Sequence, residues 1–223
     1  MNMSNIRFRL AKPSDAKQLA NCHWHVRDRY STGIFLSLGK RFLTAYYKVT
    51  LADPYEMVVC AEREDGLIVG FSSATLDAAK QAENIRKHKV YLGFAALGAI
   101  ICKPTLLKEV WLRYRSLASG TDAPKFVHNE GVRGEYWCWR KDAAENTFMS
   151  VDMENIKDGI IYNLGYKEIF FEVDTFNKSV YRYHEKVAKA EPIDKVVLPD
   201  GRERVLFRKT LKPYAKYGLV KQK

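Results

Sequence analysis

Polar and apolar positions alternate first in "IRFRLA" (Ile6 to Ala11), which predicts a strand. "KPSDAKQLANCHWHVRDRY" then changes period. Ser14 or Asp15 can cap a helix whose apolar face includes Ala16, Leu19, Ala20 and His23. Beyond Gly33, "FLSLGKRFLTAYYKVTLADP" predicts a second helix ending near Asp53-Pro54. "EMVVCAERED" and "LIVGFSSATL" read as two strands of a hairpin turned at Glu64-Asp65-Gly66. Residues 80–127 break this rhythm. They are helical in pattern, close in "SGTDAPK", and read as an insertion within one domain.

After the insertion, "EYWCWR" (Glu135 to Arg140) predicts a short aromatic strand, with Trp137 and Trp139 on one face and Tyr136, Cys138 and Arg140 on the other. "AAENTFMSVDMENIKDGIIYNLG" predicts a helix with Met149, Met153, Ile156, Ile160 and Leu164 on its apolar stripe and Gly165 as its stop. "KEIFFEVD" is a strand too apolar to lie at an edge. "NKSVYRYHEKVAKA" is a helix, and "DKVVLPDGRERVLFRKTL" a closing hairpin turned at Pro199-Asp200-Gly201. The order β, α, α, β, β, insertion, β, α, β, α, β, β makes an α/β (α+β) fold with one mixed sheet.

Composition narrows the chemistry. The 223 residues carry a net charge of +11, which favours anionic partners, but no run of five or six basic residues marks a polybasic arm. Without a recognition motif a nucleic-acid partner is not expected. Cys22, Cys60, Cys102 and Cys138 lie far apart, so no zinc or redox pair is expected, and His23 and His25 do not share a helix face as metal ligands would. The start "MNMSNIRFRL" has no apolar signal core, so a cytoplasmic setting is expected. "VYLGFAALGAIIC" (Val90 to Cys102) is short of the ~20 residues a bilayer span needs. It reads as a buried or interfacial helix, with peripheral membrane contact left open. No GxSxG elbow, P-loop, HExxH or dinucleotide GxGxxG occurs.

The element order, with "EIFFEVDTFNKSVYRYHEKVAKA", resembles the GNAT N-acetyltransferase superfamily. That segment is similar to the family's apolar strand, Val-Asp, short link to Asn and aromatic-Tyr-Glu-Lys helix. Asn177 falls on the Asn, Tyr183 on the aromatic and His184 on the Tyr. The opening "IRFRLAKPSDAKQLA", the hairpin "AEREDGLIVGFSSA" and the closing "LPDGRERVLFRKTL" also resemble family segments, so only residues 80 to 130 fall outside the resemblance.

The resemblance implies a mostly antiparallel sheet flanked by helices on both faces, acetyl-CoA as co-substrate, and acyl transfer to the amine of a small molecule such as an amino sugar or amino acid derivative. Such transfer needs a cofactor diphosphate held at a helix start, a base for the amine, and a proton donor for the leaving thiolate. The cofactor region implied comprises Cys138, Trp139, Arg140, Asn146, Thr147, Phe148, Met149, Ser150 and Asn177. Glu135 is the candidate base, ahead of Glu130 and Asp142. The donor is Tyr183 or His184. The implied phosphate loop, Glu145 to Ser150, has no glycine, and Asp142 and Glu145 read as a capping box that competes with a phosphate. An alternative is therefore a non-catalytic protein of the same fold that has lost or weakened acetyl-CoA binding. A homodimer is left open.

Overall fold

The computed structural model describes residues 6–27, 34–116, 128–198 and 201–214, with the backbone alone for 113–116 and 144–146. Seven strands form one sheet in the order β1-β2-β3-β4-β5-β7-β6. They are β1 (Ile6–Leu10), β2 (Glu56–Arg63), β3 (Ile68–Thr75), β4 (Arg133–Trp139), β5 (Glu168–Asp174), β6 (Glu191–Val197) and β7 (Glu203–Thr210). Every neighbouring pair is antiparallel except β4 and β5.

The predicted elements are present, with informative differences. The second helix is split into α2 (Ile34–Ser37) and α3 (Gly39–Thr50), after α1 (Ala16–His25). The split falls at Gly39, whose φ of +82° is open to glycine and costly for other residues. The insertion is three helices: α4 (Ala78–Lys87), capped by the Asp77 side chain accepting from the Lys80 N–H, α5 (Lys89–Cys102) and α6 (Leu106–Ser116). Residues 117–127, like Pro199 and Asp200 of the last hairpin, lie outside the described residues.

One sheet face is covered by α1, α2, α3, α5 and α6, whose side chains join Val58, Cys60, Phe71 and Cys138 in the largest core. The other face is covered by α7 (Phe148–Asn163) and α8 (Lys178–Arg182), the latter continued by a π-helical turn from Tyr183 to Val187. Helix α5 is apolar all round, yet the fold covers only the side bearing Leu92, Ala95 and Ala96. Val90, Phe94, Leu97 and Ile101 remain exposed. At about 1.5 Å per residue its 14 residues reach about 21 Å, less than a bilayer core. No helix among the described residues is long and apolar enough to cross a membrane.

Two features shape the centre of the sheet. β4 and β5 share a single register pair, Arg133 with Phe170, supported by the Phe170 N–H donating to the Val132 carbonyl. Beyond it the two strands part. In β4, the pairing with β3 jumps from Trp137 opposite Ser72 to Gly134 opposite Ala74. Glu135 and Tyr136 thus share one partner residue, Ser73, as a β-bulge.

Gly70 of β3 lies under Trp139. A Cβ there would sit 2.3 Å from Trp139 Cε3 and 3.1 Å from the Cys138 carbonyl oxygen. Trp139 cannot swing away freely, since it is buried and its indole N–H donates to the Ala143 carbonyl at 2.8 Å. Gly70→Ala should lower unfolding free energy by about 1–3 kcal/mol through overpacking. Gly93→Ala on α5, where a Cβ meets open space, should be neutral or stabilising by up to about 1 kcal/mol. Urea unfolding of both variants checks this; equal effects would disprove the Trp139 contact.

Candidate active site

The parting of β4 and β5 opens into a cavity of about 450 Å³ reached by side chains from both layers. The β4 bulge decides which residues face which layer. Gly134 and Trp137 face α7 and α8: a Cβ on Gly134 would meet Phe171, Ile169 and Lys157, and the Trp137 indole donates to the Ser150 carbonyl at 3.0 Å. Tyr136 and Cys138 face the opposite layer, as the alternation predicts. Strict alternation would send Glu135 with Trp137. The extra bulge residue sends it instead with Tyr136, against α4.

There Glu135 joins a buried polar cluster. Its Oε1 accepts from Arg133 at 2.7 Å and from Gln81 at 2.9 Å, and Gln81 also donates to Glu56 at 2.7 Å. Both Arg133 and Glu135 side chains are almost wholly out of water. Burial, then the neighbouring Glu135 carboxylate, pushes Glu56 well above the usual carboxylate range. Glu56 therefore carries the proton of this acid pair, and Glu135 stands against Arg133. Glu135 Oε2 has no N–H partner. Glu135 lines the cavity.

A second buried cluster lies on the α7 side. Lys157 donates to Glu154 at 2.7 Å and stands 3.4 Å from Asp158, Lys209 donates to Asp158 at 2.6 Å, and Ser72 of β3 donates to Glu154. Burial opposes the charge on Glu154, but Lys157 outweighs it and holds Glu154 below its ordinary range. Burial likewise opposes the Lys157 charge, and Glu154 and Asp158 outweigh it. Glu154 and Lys157 thus form a buried ion pair under the sheet, with Lys157 lining the cavity. The apolar stripe read for this helix obscured it. Glu154, Lys157 and Asp158 are buried, whereas Leu164 is 56% exposed. Their i, i+3, i+4 spacing was the available signal.

On α8, Val180, His184 and Asn177 line the cavity. His184 is buried with Nδ1 unpartnered, and burial, reinforced by Lys209 and Lys157, pulls its pKa down to about 3. It is a neutral imidazole at neutral pH. Tyr183 packs on Trp137 (ring centroids 5.0 Å) and His184 (5.2 Å), and burial beside Glu154 raises its pKa well above the usual phenol range, so it keeps its proton. His23 belongs to the opposite core, bonded to the Tyr47 hydroxyl at 2.8 Å. Among the described residues no group of three His, Cys, Asp or Glu side chains could hold a metal.

The segment after β4 corrects the expected capping box. Asp142 is bound in a two-point ion pair to Arg140 at 2.6 and 2.8 Å, which draws its pKa down to about 2. Residues 141–146 form a 3₁₀ stretch kinked at Ala143, and α7 starts only at Phe148. Its N-cap is Thr147, with no side-chain cap. Phe148 is 89% exposed, and Met149 is half-buried. The Asn146 and Glu145 side chains lie outside the described residues. Several implied cofactor contacts are committed elsewhere as side chains. Cys138 is in the core, Trp139 is bonded to Ala143, Arg140 to Asp142, and Ser150 donates to the Thr147 carbonyl.

A 16-residue helix whose first turn lacks a side-chain cap suits a diphosphate, whose oxygens would accept from the amides of that turn. The parted strands leave space for a pantetheine arm beside β4. A diphosphate docked at this helix start would be held through backbone rather than charged side chains.

No family model matches this sequence, and no curated protein does. Solved structures share its architecture. An acetyltransferase of the GNAT family from Staphylococcus aureus Mu50 superposes with TM-score 0.55 at 10% identity, over 93% of this chain and 100% of the other. YncA of Salmonella typhimurium, solved with its cofactor acetyl-CoA, gives 0.55 at 11% identity, over 95% and 97%. NAA60 of Arabidopsis thaliana, solved with a bisubstrate analogue, gives 0.52 at 13% identity, over 92% and 98%. The chain has the GNAT acetyltransferase fold.

Two outcomes follow from the buried clusters. A carboxyl whose folded pKa is raised contributes stability that is complete below its unfolded pKa and is lost as pH rises through the folded value. For Glu56 that loss begins at the ordinary carboxylate range and continues upward. Glu56→Gln keeps an oxygen for Gln81 and should flatten the fall of melting temperature with rising pH; a curve parallel to the parent would mean Glu56 is ionised. Lys157→Met leaves Glu154 and Asp158 without their shared cation and should cost about 3–5 kcal/mol of unfolding free energy in urea.

Proposed function

We propose that the protein is an acyl-CoA-dependent N-acyltransferase acting on the amine of a small molecule. The observation that supports this best is Glu135, a buried carboxylate carried by the β4 bulge into the cavity where β4 and β5 part. Bound acetyl-CoA would supply a thioester acyl group. The first turn of α7, at Thr147, Phe148 and Met149, would hold its diphosphate through backbone N–H groups.

Glu135 is the base. It takes a proton from the acceptor amine, directly or through one water, and Arg133 and Gln81 fix its orientation through Oε1. Protonated Glu56 keeps the cluster from holding two negative charges. As the C–N bond forms and the C–S bond breaks, the leaving sulfur needs a proton. Tyr183, which keeps its phenol proton beside Trp137, is assigned this role because His184, which lines the cavity, carries no imidazolium at neutral pH. His184 then shapes the wall between Trp137 and Phe171.

A non-catalytic reading has one observation in its favour: Arg140, a cation ahead of the helix start, is already paired with Asp142. Calorimetric titration with acetyl-CoA separates the two. Micromolar binding supports the transferase, and no heat with no thermal shift removes it. If the transferase reading holds, Glu135→Gln should lower kcat by about 100-fold or more while acetyl-CoA affinity stays within about twofold. Tyr183→Phe should lower kcat by about tenfold or more, and His184→Phe should leave the pH profile unchanged.

A further inference from the structure

The cavity is not uniform. Its charged groups gather on one side, around Glu135 and Arg133 of β4 and around Glu154, Lys157, Glu172 and Asp174 toward α7 and β5. The wall toward α2, α3, α5 and α6 is hydrocarbon and aromatic: Phe35, Phe42, Leu92, Ala96, Ile100 and Val110. Phe35 lies 4.8 Å from Tyr46 and 6.3 Å from Tyr136, ring to ring, so the aromatic surface runs from that wall to the bulge beside Glu135. The cations along this part of the lining, Arg86 and Lys89, sit at the junction of α4 and α5.

Three physical consequences select a ligand class. With acetyl-CoA in the gap between β4 and β5, an acceptor whose nitrogen lies at Glu135 has the remainder of the molecule along the apolar wall. Hydroxyls or further ammonium groups there would lose water without gaining partners. Arg86 repels an acceptor carrying a second positive charge. We infer that the acceptor is a monoamine on an apolar body, an alkyl or arylalkyl amine, rather than an amino sugar or a polyamine. The inference deepens the transferase reading and rests on it for the role of Glu135.

The test uses the full chain and reads binding apart from turnover. Butylamine, hexylamine, octylamine, phenethylamine, glucosamine and spermidine are titrated by calorimetry without acetyl-CoA, then compared as acceptors by thiol release. Affinity should rise roughly threefold per methylene, the effect of burying one CH₂. Octylamine should bind at least tenfold more tightly than butylamine, and glucosamine and spermidine should bind more weakly than either. Val110→Trp, which fills the wall, should remove most of the octylamine advantage and leave butylamine nearly unchanged. Ile100→Trp gives the same readout if Val110→Trp does not fold.

Equal affinity along the alkyl series, or preference for glucosamine or spermidine, overturns the inference. So does a gain with octanoyl-CoA over acetyl-CoA that Val110→Trp abolishes while amine length has no effect, since the wall would then take the acyl chain. Octylamine that binds with the expected chain-length dependence but is never acetylated upholds the ligand class and removes the transferase reading.

Discussion

Two parallel strands that pair at one residue and then separate impose the main constraint on this fold. A sheet normally satisfies its backbone groups strand to strand. Between β4 and β5 that arrangement stops after Arg133 and Phe170. Whatever stabilises the centre beyond that point must come from outside the sheet. The chain supplies α7 and α8 beneath it, the helical insertion above it, and a buried polar cluster on each side. The cavity is the space this arrangement leaves.

The two clusters solve different electrostatic problems. Beneath the sheet, two lysines face two acids, and each charged group has an opposite neighbour within 3.4 Å. Above it, one arginine faces two acids, and neutrality requires one acid to keep its proton. The first arrangement balances its charges within itself. The second holds a titratable pair at the edge of a cavity, the setting in which proton transfer to or from a ligand costs least reorganisation.

Much of the fold was legible because it is written in period and punctuation. The alternation of Ile6 to Leu10, the Asp65-Gly66 turn and the stop at Gly165 are local signals, and each element formed where they point. The site was less legible, because its geometry is set across strands. The bulge at Glu135 exists only in the pairing of β4 with β3, so alternation along β4 alone would send this carboxylate to the wrong face. The capping box failed for a related reason. Asp142 had two suitors, a helix start and a guanidinium two residues away, and the two-point ion pair to Arg140 won. Glu154, Lys157 and Asp158 look like solvated helix charges until their neighbours from β3 and β7 are in place.

The β4 bulge makes chain length, not residue type, the variable that assigns the Glu135 carboxylate to a compartment. Removing Gly134 would restore strict alternation, place Glu135 opposite Ala74 and turn that acid toward the lysine-bearing layer under α7. Proteins of this architecture can thus exchange an acid between the two chambers of the sheet by a single deletion or insertion. Comparing relatives position by position would miss such an exchange, while comparing their strand registers would reveal it.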